Sequence, residues 1–267
     1  MKKTILLYIF IILCNSIYSQ DVVIIDTTLD VSNKEAFVIL NGFGSSKKTI
    51  EIQKDFFKDR GYDLFIPDYI TKKSIDTTVS NFLLFYEKNN LSSYKHVKVF
   101  CYIIGGYVLN QHIERYGKGN ITTIIYDRSP TQERAPRAAT ESLPFISQLL
   151  YGKVLADFSA LEITSLSDAD NLNIGVIIES KATRLMRFLK KTADKYGDYN
   201  YNAEYIELNL DDVMYTHLDH NQMYRRFDII GEEILHFMEE AVFTKNAKRE
   251  QYNWDPFKKI KVNDIDL

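Results

Sequence analysis

The sequence predicts an α/β protein with a mainly parallel sheet and helices on both faces. Two observations carry this prediction. Residues 35–40 and several later segments are short, continuous apolar runs, which are typical of parallel strands buried on both sides. Segments with helical apolar spacing, such as residues 48–60, alternate with these runs. Strands that alternate with helices along a chain usually form a parallel sheet covered by helices on both sides.

The elements follow one another in a regular order. The patterns predict strands at residues 35–40, 63–68, 96–102, 121–126, 174–179 and 203–208, and helices at residues 48–60, 79–86, 106–116, 184–196 and 229–242. Right-handed crossovers would then bring the carboxyl ends of the strands to one edge of the sheet, where ligand crevices form.

The alternation is interrupted once. Residues 128–172 contain a loop rich in proline and arginine and two predicted short helices, so we expect a small lid-like insertion there. Residues 20–243 are long enough for one large domain. Residues 244–267 form a polar tail that we expect to be anchored by a few aromatic side chains.

The first 19 residues have the pattern of a signal peptide. Lys2 and Lys3 precede an apolar run at residues 5–13, and a small residue, Ser19, ends the more polar stretch that follows. This run is too short to span a bilayer, and no later run approaches that length. We therefore expect an exported protein, periplasmic or extracellular and bacterial, with no transmembrane segment in the mature chain. Cys14 leaves open a lipoprotein, although lipoprotein signals favour a small residue where Leu13 stands.

Charge and cysteine content narrow the classes of partner. The chain has 33 Lys and Arg against 36 Asp and Glu, and removal of Lys2 and Lys3 leaves 31 against 36, a net charge of −5. This balance gives no reason to expect nucleic acid or anionic lipid as a partner. Cys14 and Cys101 are the two cysteines, so the mature chain would carry one thiol and no internal disulfide.

Residues 97–106 have the outline of a nucleophile elbow, a strand that turns sharply into a helix. The usual elbow pattern is G-x-S-x-G. Here Cys101 stands at the first glycine and Ile103 at the nucleophile, whereas Gly105 fits the pattern. Isoleucine has neither a lone pair nor an acidic proton. Cys101 itself remains an alternative nucleophile, although a thiol on a buried strand more often fills apolar space.

A second motif, N-G-F-G at residues 41–44, follows the first predicted strand. Together with the segment at residues 97–106, the order of elements resembles the first half of an α/β-hydrolase. The resemblance covers residues 35–240, and its individual motifs are degenerate. In isolation, the N-G-F-G motif is equally well explained as a tight connection between a strand and a helix.

The resemblance implies roles for several of these residues. The backbone N–H groups of Phe43 and Ile104 would form the oxyanion hole, because such groups stabilise the charge that develops on a carbonyl oxygen. Asn41, Gly42 and Gly44 would line the ligand edge of the sheet.

The resemblance also implies a catalytic histidine after the last strand. His220 is the best match, and His217 is the second. Near a nucleophile, a neutral imidazole would act as a general base, so His220 is interpreted as the remnant of that base. The alternative is a helix-capping segment, with Asp219 or Asn221 as the cap and two surface histidines.

The acid of the triad is harder to place. Ala182 stands near the usual position, and Glu179 is the nearest carboxylate. Some members of the family carry the acid one strand earlier, which makes Asp127 a candidate to orient His220. We therefore interpret Ile103 as one part of a wider loss of the catalytic set.

Two other groups of residues have side chains of the types that bind metals or anions. His217 and His220 have H-x-x-H spacing near Asp211, Asp212 and Asp219, but they lack a third ligand at a telling distance, so neither a metal nor a cofactor is expected. The loop that begins with Arg128 and Ser129 lies at a strand end, where it would bind a carboxylate or phosphate or form a structural salt-bridge cluster.

Three functions follow from these patterns. The first is a pseudoenzyme without serine-hydrolase activity that binds a small molecule or a protein at the former active-site edge. The second is an active hydrolase of esters or related acyl compounds, with Ser45, Ser46 or Ser129 as a displaced nucleophile. The third is a structural or surface-interaction protein that uses the lid and the aromatic tail.

Overall fold

A computed structural model describes residues 20–258, so the predicted signal peptide and residues 259–267 lie outside the described part. Seven strands form one sheet in the order β1-β3-β2-β4-β5-β6-β7. All neighbouring strands are parallel except β1, which runs antiparallel to β3. The strands are β1 Val22–Ile24, β2 Glu35–Leu40, β3 Asp63–Ile66, β4 His96–Cys101, β5 Ile121–Arg128, β6 Asn173–Lys181 and β7 Asp212–Asp219.

Ten α-helices connect and follow these strands in the described residues. They are α1 Lys47–Phe57, α2 Ile75–Lys88, α3 Ile103–Tyr116, α4 Ala135–Ser142, α5 Pro144–Tyr151, α6 Lys153–Ser159, α7 Arg184–Ala193, α8 Ala203–Ile206, α9 His220–Met223 and α10 Phe227–Glu240. None of the helices in residues 20–258 is long and apolar enough to cross a membrane.

The central strands are buried on both faces, which explains their continuous apolar runs. In β2, Val38 and Leu40 pack with α2 and α3 on one face, whereas Phe37 and Ile39 pack with α1 and α10 on the other. All four side chains are at most 1% exposed. The predicted fold class, a mainly parallel sheet with helices on both faces, is therefore confirmed.

Two predicted elements differ from the structure. Residues 203–208 were expected to form the last strand, but they contain the short helix α8, and the last strand is β7. The predicted strand has alternating apolar residues that fit a single helical turn equally well. Strand β7 was missed because polar side chains interrupt its apolar positions, as expected for an edge strand with one partly exposed side. β1 was not predicted either.

The insertion forms three helices, α4, α5 and α6, rather than two. Gly152 separates α5 from α6 and has a φ of +69°, a conformation that favours glycine. A Cβ at this position would lie 2.3 Å from the carbonyl oxygen of Lys72. The amide of Lys153 also donates to that oxygen at 2.9 Å, so the insertion is fastened to the loop that follows β3.

Candidate functional site

The junction of β4 and α3 does not have the strained backbone of a nucleophile elbow. Tyr102 is the N-cap of α3 in extended conformation, and Ile103 is the first helical residue. A catalytic elbow holds its nucleophile on a strained turn. Within residues 20–258, the non-glycine residues with positive φ are Asp59, Asn90, Asn171 and Ala241, so Ile103 carries no such strain.

The two isoleucines of this junction belong to the apolar core. Ile103 is 6% exposed and Ile104 is 2% exposed, and both pack in the cluster that joins α2 and α3 to the sheet. Gly105 permits this packing, because a Cβ there would lie 2.3 Å from the carbonyl oxygen of Leu40. The elbow glycine therefore has a packing role that does not depend on catalysis.

Tyr224 fills the space beside the 41–44 loop that the resemblance assigns to the oxyanion hole. Its hydroxyl accepts a hydrogen bond from the Gly42 amide at 3.1 Å. A Cβ on Gly42 would lie 2.6 Å from that hydroxyl, and one on Gly44 would lie 2.8 Å from the tyrosine ring. The glycines thus make room for a side chain of this protein.

The Tyr224 ring is fixed from two further directions. It stacks on Tyr102 with ring centres 4.0 Å apart and planes 6° from parallel. Its hydroxyl lies 3.5 Å from His220 Nε2, at the limit of hydrogen bonding. Tyr102 is itself held, because its hydroxyl donates to the Met223 carbonyl at 3.1 Å. Tyr224 is 1% exposed, so this arrangement excludes solvent.

His220 begins α9 directly after β7, and two carboxyl groups face its other ring nitrogen. Its Nδ1 lies 2.6 Å from Glu179 Oε1 and 3.5 Å from Asp127 Oδ2. Both carboxyl side chains are fully buried, on β6 and β5 respectively. The structure thus brings Asp127 and His220 together and adds Glu179 as the nearer acid. Ala182 is the first residue after β6, the strand that carries Glu179, and has no acidic group.

The protonation of this cluster follows from its burial. Burial raises the pKa of Asp127, and burial together with the Asp127 charge raises the pKa of Glu179 well above its usual value. Burial alone would lower the pKa of His220, but the two acids outweigh it and raise that pKa to about 10. With His220 protonated, as its raised pKa favours, the cluster has zero net charge when one acid is a carboxylate and the other is a neutral carboxylic acid. An imidazolium cannot act as a general base.

The same three residues also form the metal-ligand grouping found in residues 20–258, with ligand atoms within 4.8 Å of one another. One imidazole and two carboxylates suit zinc or manganese in type. However, the 2.6 Å between His220 Nδ1 and Glu179 Oε1 is a hydrogen-bond distance. Two ligands of one tetrahedral zinc stand about 3.4 Å apart, given bonds of about 2.1 Å. The arrangement is therefore that of a hydrogen-bonded cluster.

His217 and the neighbouring aspartates have other positions. His217 lies on β7 and is partly exposed. Asp211 and Asp212 accept backbone hydrogen bonds from Ile174 and Phe243, and Asp219 forms a capping box with Gln222 at the start of α9. The capping role considered for Asp219 is therefore present alongside the buried His220.

None of the alternative nucleophiles has a recorded hydrogen bond to His220. Ser46 caps α1, and Ser129 Oγ lies 3.3 Å from the Thr131 hydroxyl. Ser45 Oγ is buried without a hydrogen-bond partner in the described residues. Cys101 is fully buried, and burial raises the pKa of its thiol well above the usual value, so it stays protonated at neutral pH.

Arg128 is used within the protein. Its guanidinium contacts the Glu133 carboxylate at 2.7 Å and the Ile206 carbonyl at 2.9 Å, and the side chain is buried. Glu207 lies 4.0 Å away. Of the two interpretations of this loop, the contacts favour the structural salt-bridge cluster over an anion site.

A cavity of about 640 Å³ lies beside the elbow, at the carboxyl ends of β2 and β3 and under the lid-like insertion. Phe43 lies on its wall and packs edge-on against Tyr151, with ring centres 5.3 Å apart. Its lining includes Asn41 and Gly42 but not Ile103, His220 or Tyr224. This cavity is therefore displaced from Ile103 and from the His220 cluster.

Comparison with known proteins identifies the fold. The chain matches no protein-family model and no curated protein sequence. Among solved structures it is similar to the lipase BlEst2 of Bacillus licheniformis, at 12% identity over 83% of this chain and 97% of that one, with a TM-score of 0.53. Est1E from Butyrivibrio proteoclasticus gives 12% identity over 84% and 99%, with a TM-score of 0.52.

Epoxide hydrolases of the α/β-hydrolase superfamily, from metagenomes of hot environments, also match, at 11% identity over 81% of this chain and 92% of theirs, with a TM-score of 0.52. The chain therefore has an α/β-hydrolase fold. At these identities, the likeness extends to the fold and not to the reaction.

Tyr224 is the residue that the sequence patterns missed. The available signal was its spacing from His220, because residues four apart lie on the same side of a helix. That spacing gave no indication that the ring would reach Gly42, which lies 182 positions away in the chain. Glu179 was noted as the nearest carboxylate, but Ala182 seemed the better match to the acid position.

Proposed function

We propose that this protein is an exported α/β-hydrolase-fold protein without serine-hydrolase activity, which binds a ligand at the carboxyl edge of its sheet. The observation that carries the proposal is Tyr224. Its hydroxyl accepts a hydrogen bond from the amide of Gly42 and lies beside His220, and the sequence has an isoleucine, Ile103, where a nucleophile is usual. The case for export rests on the pattern of the first 19 residues.

Serine hydrolysis needs a nucleophile, a base and free donors for the oxyanion. Ile103 cannot attack, and both ring nitrogens of His220 face internal partners. The Tyr224 side chain fills the space beside Gly42 and Gly44, the two neighbours of the implied oxyanion donor Phe43, and accepts a hydrogen bond from the Gly42 amide. An acyl group would have to displace this buried, stacked ring before it could reach Nε2 of His220. The losses support one another, so a single substitution should not restore the reaction.

Activity-based labelling tests the proposal directly. The mature protein should show neither covalent labelling by a fluorophosphonate probe nor hydrolysis of short p-nitrophenyl esters above the buffer rate. Ser129→Ala and Ser45→Ala serve as matched variants. Labelling that disappears in either variant would establish a displaced nucleophile and overturn the proposal.

Ile103→Ser tests whether the remaining site is intact. We expect this variant to stay inactive on esters, because Tyr224 still fills the space beside Gly42 and His220 is still protonated. Ester cleavage by the single variant would show that the other groups are competent, and the argument from Tyr224 would fail.

Intact mass of the protein secreted from cells that express the full chain would test export, with loss of the first 19 residues expected.

A further inference from the structure

The cavity beside the elbow has two distinct parts, a buried floor and an exposed rim. Ile50, Tyr69 and Val154 lie on the floor and are at most 6% exposed. Lys47, Lys72 and Lys73 lie on the rim, and all three are exposed to solvent. A volume of about 640 Å³ lies within the range of small-molecule sites.

The floor offers no free polar partner to a ligand. Asn41 and Gln53 pair their side-chain amides reciprocally, with N···O distances of 2.9 and 2.7 Å. The Tyr69 hydroxyl donates to the Asn41 carbonyl. With these groups satisfied, the remaining surface is made by Ile50 and Val154 and by the faces of aromatic rings. A ligand part that enters this floor must therefore be apolar, because a polar one would lose its hydrogen bonds to water.

The rim carries a positive charge that the protein does not neutralise. Within residues 20–258, Lys47 and Lys73 have no recorded ion pair, and Lys72 donates to the Leu149 carbonyl at 3.1 Å. Asp68 is the carboxylate in the lining, so the rim holds three positive charges against one negative charge.

Ser45 adds an independent indication of a ligand. Its hydroxyl lies in the wall between floor and rim and is buried without a hydrogen-bond partner in the described residues. An unpaired buried hydroxyl costs roughly 1–3 kcal/mol, and among the eight buried side-chain atoms without a partner in residues 20–258, Ser45 Oγ is the one that belongs to the cavity lining. A ligand oxygen placed between Ser45 and the rim lysines would satisfy it. The start of α1 follows at Lys47 and adds its partial positive charge.

We propose that this cavity binds a single-chain amphiphile with an anionic head group, a carboxylate or a phosphate monoester. The chain lies on the apolar floor, and the head group lies among Ser45, Lys47 and Lys73. This inference rests on the proposed function, since the ligand is bound and not cleaved. No residue of the buried His220 cluster lines the cavity, so the head group stays away from it.

Titration calorimetry with a matched ligand set tests the inference. The mature protein is titrated with dodecanoate, dodecyl phosphate, dodecanol and dodecyltrimethylammonium, each below its micelle concentration. We expect one or both anions to bind, dodecanol to bind at least about tenfold more weakly, and the cation not to bind. The two anions distinguish a fatty acid from a phosphate monoester. Equal binding of dodecanol and the anions, or no binding of either anion, overturns the inference.

A charge-reversed variant tests the location. Lys47→Glu together with Lys73→Glu should weaken anion binding by about tenfold or more and leave dodecanol binding unchanged. Lys48→Glu together with Lys95→Glu makes the same charge change outside the lining and should bind like the wild type. Unchanged anion affinity in the first variant, with an unchanged melting curve, would exclude the rim as the head-group site.

Mass spectrometry after incubation with methyl dodecanoate separates the two proposals. Release of dodecanoate by the protein would overturn the absence of hydrolase activity. An intact ester combined with no preference for anions would overturn the ligand class alone.

Discussion

The elbow region and the cavity share the 41–44 loop but use their polar groups in opposite ways. Around Tyr224 and His220 the space is filled, and the Gly42 amide and both ring nitrogens of His220 face other atoms of the protein, whereas both Asp127 oxygens and Glu179 Oε2 are buried without a hydrogen-bond partner in the described residues. In the cavity, space is open, and two of the three rim lysines, Lys47 and Lys73, have no ion pair in the described residues. The comparison indicates that the open space and the buried His220 cluster occupy different places at this sheet edge, so the proposed ligand binding does not depend on the residues of that cluster.

The largest expected effect on stability comes from a substitution in the filled region, at His220. His220→Ala leaves two buried acids without their cationic partner, so we expect a loss of about 3–5 kcal/mol in the free energy of unfolding. Urea denaturation measures it. His236→Ala, at a partly exposed position on α10, is the control and should cost less than about 1 kcal/mol. A similar cost for both variants would mean that His220 is not paired as described.

A smaller effect is expected from the elbow glycine. Gly105→Ala would place a Cβ 2.3 Å from the Leu40 carbonyl oxygen, which forces α3 away from β2. We expect a cost of about 1–3 kcal/mol in the same denaturation assay. Gly106→Ala meets the softer edge of Tyr126 at 3.0 Å and is the matched comparison. If Gly105→Ala were the more stable of the two, the close contact of α3 with β2 would be wrong.

The pH dependence of stability should sharpen the comparison further. The pKa of His220 is raised from 6.5 to about 10, so its contribution is complete below pH 6.5 and is lost as the pH rises through about 10. The raised pKa values of Asp127 and Glu179 act in the same direction above their ordinary values of 3.8 and 4.5. The folded state therefore holds more protons than the unfolded chain between these limits.

We expect stability to fall with rising pH across this window, by up to about 1.4 kcal/mol per pH unit for each extra proton held by the folded state. Urea denaturation at a series of pH values gives the slope. Glu179→Gln should flatten it, because it removes one of the shared protons. Stability that rises with pH over the same window would contradict the assigned protonation.

The smallest effect is expected at the cavity rim. Lys47→Ala combined with Lys73→Ala should change the free energy of unfolding by no more than about 0.5 kcal/mol, because neither lysine has a partner to lose. Thermal melting checks this expectation. A clear destabilisation would mean that the two lysines support the fold, and the case for a ligand-binding rim would weaken accordingly.

Much of the fold could be predicted because its signals are local. The buried strands β2, β4, β5 and β6 are continuous apolar runs, and their helices carry clear apolar spacing. The edge strand β7 and the short helix α8 were mistaken because a few alternating residues fit either structure. Their assignment depends on which neighbour buries them, and the local pattern does not contain that information.

The site was predictable only in part, for a related reason. His220 and Asp127 could be found from their order relative to the strands. Tyr224 could not, because its role depends on a contact with Gly42 across the fold. The cavity was also missed, since its lysines and its apolar floor come from three separate segments whose sequences give no sign of a shared boundary.

The contact between Gly152 and Lys72 has a kinetic consequence. Because the lid-like insertion is fastened to the loop that also supplies the rim, the roof of the cavity can separate from that wall only when the hydrogen bond between them breaks. The residence time of the proposed ligand would then depend on how often the backbone hydrogen bond from the Lys153 amide to the Lys72 carbonyl breaks, and much less on the strength of the head-group contacts. Ligands of equal affinity but different heads should leave at similar rates.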